Sequence, residues 1–165
     1  MEFAKADFDL FDREVFAFKQ LKDIYPPETI QRLKEDYQMS WQKWKHIQMT
    51  VATNVSADLQ PKVESWTNGW NLRSHFWCAY RNEAHPNQNA CLAALINQKQ
   101  YQVYFMFQHY KSGQRSGSLA AYNDLRWQIE EWSKDKNLAD YYIWPQVEHE
   151  LEDHCPLAVY LSDPH

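Results

Sequence analysis

Cys91-Leu92-Ala93-Ala94-Leu95-Ile96-Asn97-Gln98-Lys99-Gln100-Tyr101-Gln102-Val103-Tyr104-Phe105-Met106-Phe107-Gln108-His109 is the stretch on which the fold turns. Residues 91–97 are short, apolar and free of helical spacing, and residues 101–109 alternate with period two. Tyr101, Val103, Phe105 and Phe107 share one face, while Gln102, Tyr104, Met106 and Gln108 share the other. Gln98-Lys99-Gln100 joins the two runs as a hairpin. Both faces of the second run are partly apolar, which predicts a central strand covered by helices.

Upstream, Ser74–Arg81 is aromatic-rich without helical spacing and predicts another strand, followed by a loop at residues 83–89. Before it, Ile30, Leu33, Tyr37, Trp41, Trp44, Ile47 and Val51 recur at steps of three and four. They predict one long amphipathic helix starting near Pro27. Phe8, Phe11, Val15 and Phe18 predict an earlier helix that ends at Tyr25-Pro26-Pro27. Downstream, a third helix is expected from about Leu119 to Lys134. Two short apolar stretches, Tyr141–Trp144 and Leu157–Leu161, are expected to close the sheet. The expectation is an α+β fold in a single domain, residues 1–165: N-terminal helices packed on a mainly antiparallel sheet, with a further helix after the central hairpin.

Composition narrows function more than it names it. Eight Trp, ten Tyr and eight Phe in 165 residues predict a core of large rings and an aromatic-lined groove. Three glycines leave few cheap positions of positive φ, which disfavours glycine-rich nucleotide cradles. A net charge of −5 disfavours broad nucleic-acid binding. Cys78, Cys91 and Cys155 are odd in number and form no C-x-x-C pair, as expected in a reducing compartment. No leader-like run opens the chain and no apolar run is long enough for a membrane span, so a cytoplasmic protein without membrane contact is expected.

Three segments could carry chemistry. In Lys111-Ser112-Gly113-Gln114-Arg115-Ser116-Gly117-Ser118, between a strand and a helix start, Lys111, Ser112, Arg115, Ser116 and Ser118 could receive a phosphate or carboxylate. The glycine spacing is neither Walker-like nor a nucleophile elbow, and a plain helix cap at Ser118 is the competing reading. Trp66 and Trp70 flank an Asn68-Gly69 turn with Arg73 nearby; they could clamp a planar ligand or simply pack onto the core. His149-Glu150-Leu151-Glu152-Asp153-His154 looks like a zincin helix, but its histidines are five residues apart and leave the shared face. No metal site and no cofactor is therefore expected. Cys78 and Cys91 read as small buried core residues.

The segments Glu64-Ser65-Trp66-Thr67-Asn68-Gly69-Trp70-Asn71-Leu72-Arg73-Ser74-His75-Phe76-Trp77-Cys78-Ala79-Tyr80-Arg81 and Tyr101-Gln102-Val103-Tyr104-Phe105-Met106-Phe107-Gln108-His109-Tyr110 resemble a small bacterial family. Some of its members carry the label glucose-6-phosphate 1-dehydrogenase. The resemblance brings no catalytic residues, and the chain has no G-x-G-x-x-G after a strand and no opening βαβ unit. The leading expectation is a domain that binds a small anionic or planar ligand or a protein partner, without a catalytic motif. The alternatives are an enzyme assembled from dispersed groups such as His75 or His109 with Cys78, and a nucleic-acid module using Trp66, Trp70, Lys111 and Arg115.

Overall fold

The computed structural model describes residues 2–145 and 154–163. The α+β class is as expected. Helices α1 (Lys5–Asp9), α2 (Phe18–Ile24) and α3 (Pro27–Val55) lead into strands β1 (Leu59–Val63), β2 (Thr67–Asn68), β3 (Asn71–Leu72), β4 (Phe76–Asn82), β5 (Ala90–Ile96) and β6 (Tyr101–Phe107). A 3-10 turn at Ser112–Gln114 precedes α4 (Leu119–Asn123), α5 (Arg126–Ser133), β7 (Tyr142–Ile143), β8 (Cys155–Pro156) and α6 (Leu157–Ser162). The main sheet is an antiparallel meander in the order β1-β4-β5-β6, with the β2–β3 hairpin inserted before β4.

α3 begins with Pro27 at its first position, where the missing N–H has no helical partner to lose. It lies on one face of the sheet, over β1 and β4. Its Ile30, Tyr37 and Trp44 are buried among Phe11, Phe76, Cys78 and Tyr80. The rings of Phe11 and Phe76 meet edge to face at 4.9 Å. The buried line of α3 drifts from the apolar repeat. From residue 40 it follows one i+4 row through Ser40, Trp44, Gln48 and Ala52, so Val51 turns outward. The amide of buried Gln48 is held by the hydroxyl of Tyr80, which donates to it.

Four expectations are corrected. The first helix is broken into α1 and α2, because Phe16 and Phe18 bond the hairpin instead of a helix: Leu72 N donates to Phe16 O (2.9 Å) and Phe18 N to Trp70 O (3.0 Å). β6, expected at the centre, is an edge strand. The C-terminal stretches do not close the sheet: among the described residues β7 pairs with β8 and not with the main sheet, and Leu157–Ser162 is helical. The predicted third helix is interrupted at Asp124-Leu125, between α4 and α5. Of the His149–His154 motif, only His154 falls within the described residues. Among the described residues no helix is long and apolar enough to cross a membrane.

Candidate functional site

The register assigns every sheet side chain to a face. Phe76, Cys78, Tyr80, Ala94 and Ile96 point to the α3 side, and Trp77, Ala79, Cys91, Ala93 and Leu95 to the other. Among the described residues that second face carries no long helix. Trp77 there donates its indole N–H to the hydroxyl of Tyr104 on β6 at 3.0 Å. Trp144, just after β7, lies over Tyr104 with ring centroids 5.6 Å apart. His154 stacks on Trp144 at 4.0 Å and 12°. The result is a ready-made aromatic wall of Tyr104, Trp144 and His154.

A cleft of about 950 Å³ runs along β6 beside this wall. Trp77, Gln102, Tyr104, Met106, Trp144 and His154 line its sheet side, and Ile129 and Trp132 of α5 stand across it. Among the described residues, two polar atoms within it are buried without a hydrogen-bond partner, Gln102 Oε1 and His154 Nδ1. Gln102 Nε2 lies 3.2 Å from His154 Nε2. If the amide donates there, the imidazole proton sits on Nδ1. The cleft then holds one unused acceptor, Gln102 Oε1, and one unused donor, His154 Nδ1. Each such buried group costs about 1–3 kcal/mol until something pairs with it. His75 lines the far end; burial, and then the charge of Arg73, hold its pKa down to about 4, so it is neutral near pH 7.

The residues singled out from sequence fall into two groups at opposite ends of β4. Trp66 packs against the core, 6.5 Å from the Tyr37 ring, while Trp70 stands 85% exposed at the hairpin tip. Arg73 pairs with Glu64 at 2.7 Å and its N–H donates to Trp66 O. The hairpin turns at Gly69, whose φ of +59° suits glycine. At the other end, Lys111 takes the left-handed conformation at φ 55° and its ammonium lies 5.2 Å from the Tyr110 ring centre. Arg115 donates to the Tyr110 carbonyl, and Ser118 caps α4 by accepting from Ala121 N at 3.1 Å. Ser112 and Ser116 belong to the strap itself: Arg115 N donates to Ser112 O, and Ser116 N to Asn87 O at 2.9 Å. β4 separates the groups by roughly 20 Å at 3.3 Å per residue. His109 and Tyr110, which lead into the bend, line the cleft, while Lys111, Arg115 and the serines of the bend are not among its lining residues.

Two features escaped the sequence reading. Asn89, buried beside the bend, donates from Nδ2 to Gly117 O at 2.8 Å and pins the strap to the sheet. The cleft wall was visible only as the polar-aromatic alternation of Gln102, Tyr104 and Met106, and the partners across it, Ile129 and Trp132, come from a separate helix later in the chain. For the dispersed nucleophile, Cys78 lies in the core on the α3 face with its thiol pushed up to about 12 by burial. His75 is three residues away, an odd step along the strand, and lines the cleft on the other side. Among the described residues, no group of three His, Cys, Asp or Glu side chains gathers as a metal site.

The fold and the cleft thus define an α+β protein with an aromatic groove beside an edge strand. The chain belongs to a protein family whose model matches residues 3–165. A protein of Haemophilus influenzae described as an uncharacterized protein is 31% identical over 146 residues, which cover 88% of this chain and 68% of that relative. No solved structure matches the chain.

Proposed function

We propose that this chain is a binding domain for a flat, heteroaromatic ligand with an anionic substituent, seated in the cleft beside β6. The observation that carries the reading is the unpaired acceptor and donor, Gln102 Oε1 and His154 Nδ1, set within a groove of aromatic rings. Rings supply stacking area, and a few placed polar atoms fix the edge of the ligand. Among the described residues Lys111 and Arg115, at the Tyr110 end, form no ion pair with a carboxylate, so their charge is available to an anionic tail. The exposed ring of Trp70 is remote from this site and takes no part in the proposal. The reading stays with binding and does not extend to the dehydrogenase chemistry that the resemblance names. The described strands form an antiparallel meander, whereas a dinucleotide domain is built from parallel strands with helical crossovers.

Thermal-shift screening of nucleoside monophosphates, flavin mononucleotide and pyridoxal phosphate tests this. At least one is expected to raise the midpoint, by about 2.7 kcal/mol of linkage at a hundredfold excess over Kd. Tyr104→Ala should abolish the shift, and Arg115→Ala should reduce it for these phosphorylated probes while leaving any shift given by the parent nucleosides or riboflavin unchanged. No stabilisation by any of these planar anions would remove the proposal.

A further inference from the structure

The formal charges that line the cleft are all negative. Glu64 and Asp140 lie along it, and among the described residues no lysine or arginine does. Glu64 is already engaged, its carboxylate 2.7 Å from the Arg73 guanidinium. Asp140 is exposed and, among the described residues, makes no ion pair. It ends the connection from α5 to β7, which is fixed where Ala139 N donates to Asn137 Oδ1 (3.1 Å) and Tyr141 N to Leu138 O (3.1 Å). Next to Asp140, Tyr141 meets Trp132 of α5, with ring centroids 5.1 Å apart and planes at 73°. Both rings line the cleft and keep open surface, Trp132 at 41% and Tyr141 at 45% exposure. Lysine or arginine groups of the chain itself lie over Phe3, Phe18, Tyr37, Trp41, Tyr110 and Tyr160. Among the described residues none lies over Trp132 or Tyr141.

We propose that the flat ligand carries a positive charge in its ring system, as an N-alkylated pyridinium, quinolinium or thiazolium does, and that Trp132, Tyr141 and Asp140 receive that charge. The inference deepens the proposed function and rests on its cleft. The faces of Trp and Tyr rings are the negative side of their quadrupoles, so open faces in a groove attract a cation and repel an anion. A delocalised ring cation suits them better than a compact ammonium. It is more weakly hydrated, and it stacks while it pairs. Asp140 supplies the counter-charge, and the net charge of −5 on the chain draws cations in the same sense. Lys111 and Arg115 stand outside the lining, so the anionic substituent is directed out of the cleft toward them. The complete ligand is then zwitterionic, with a cationic ring inside and an anionic tail outside.

Isothermal titration calorimetry of the full chain tests this in slightly alkaline buffer, where free imidazole is neutral. It compares 1-methylquinolinium with quinoline, rings of nearly the same shape that differ in charge. The cation should bind roughly tenfold more tightly, the gain expected of ring faces joined to a carboxylate. Asp140→Asn should remove most of that preference by weakening the cation alone, and its unchanged quinoline affinity reports that the cleft is still formed. Asp135→Asn, on the same connection but outside the lining, should change neither. Equal affinity for the two probes, or binding of neither, overturns the inference. So does an Asp140→Asn variant that binds both probes as the wild type does, or that loses both together. Stabilisation by adenosine monophosphate without a preference for the cation removes the ring charge and leaves the cleft reading standing. A preference for the cation without stabilisation by any planar phosphate keeps the ring charge and removes the anionic tail.

Discussion

Single residues in this protein are placed by what their polar atoms require. Burial alone would raise the pKa of Asp7, yet Lys43 at 2.5 Å, the Ala4 N–H and the Ser40 hydroxyl together outweigh it and hold the carboxyl below its usual range. That bonding anchors α1 to α3, and its stabilisation is present at neutral pH and lost as pH falls through the depressed pKa. His75 adds acid sensitivity by another route. Its folded pKa of about 4 lies below the ordinary 6.5, so between those values the unfolded chain binds more protons and unfolding is favoured. Stability should therefore fall as pH drops from about 6.5 to 4, and urea melts across that window should show His75→Gln flattening this part of the profile. A slope unchanged by the substitution would show that His75 is not its source.

At the scale of elements, legibility followed how local the deciding interactions are. The long helix and the β5–β6 hairpin were legible because periodicity and a short connection suffice to specify them. The continuous N-terminal helix was not, since the backbone of Phe16 and Phe18 is claimed by a hairpin some fifty residues later. β6 reads as a central strand because its composition suits two covered faces, and its edge position is a matter of topology that composition does not encode. The Ser118 cap was readable from sequence; the engagement of Arg115 with Tyr110 O was not. Asn89 shows the same limit, looking like loop punctuation while its amide joins the bend to the sheet. Asn89→Ala should cost about 1–3 kcal/mol by leaving Gly117 O short of its donor. Limited proteolysis should then cut faster within residues 111–118; an unchanged cutting rate would mean the bend is held by other bonds.

For the whole molecule, the sheet divides two tasks. One face is filled by α3 and the rings of Phe11, Tyr37, Trp44 and Phe76, which supply the stability. The other bears the cleft, walled by Trp77, Tyr104, Trp144 and His154, with His109 and Tyr110, which lead into the cationic bend, among its lining. Separating core from groove lets the groove keep unpaired polar atoms whose cost is borne by packing elsewhere. The account rests on that groove receiving a planar anion, and indole N–H resonances in a titration with adenosine monophosphate or flavin mononucleotide report on it directly. Trp77 and Trp144 should shift and saturate while Trp44 and Trp70 stay fixed; shifts confined to the Trp70 hairpin, or none at any ring, would contradict it.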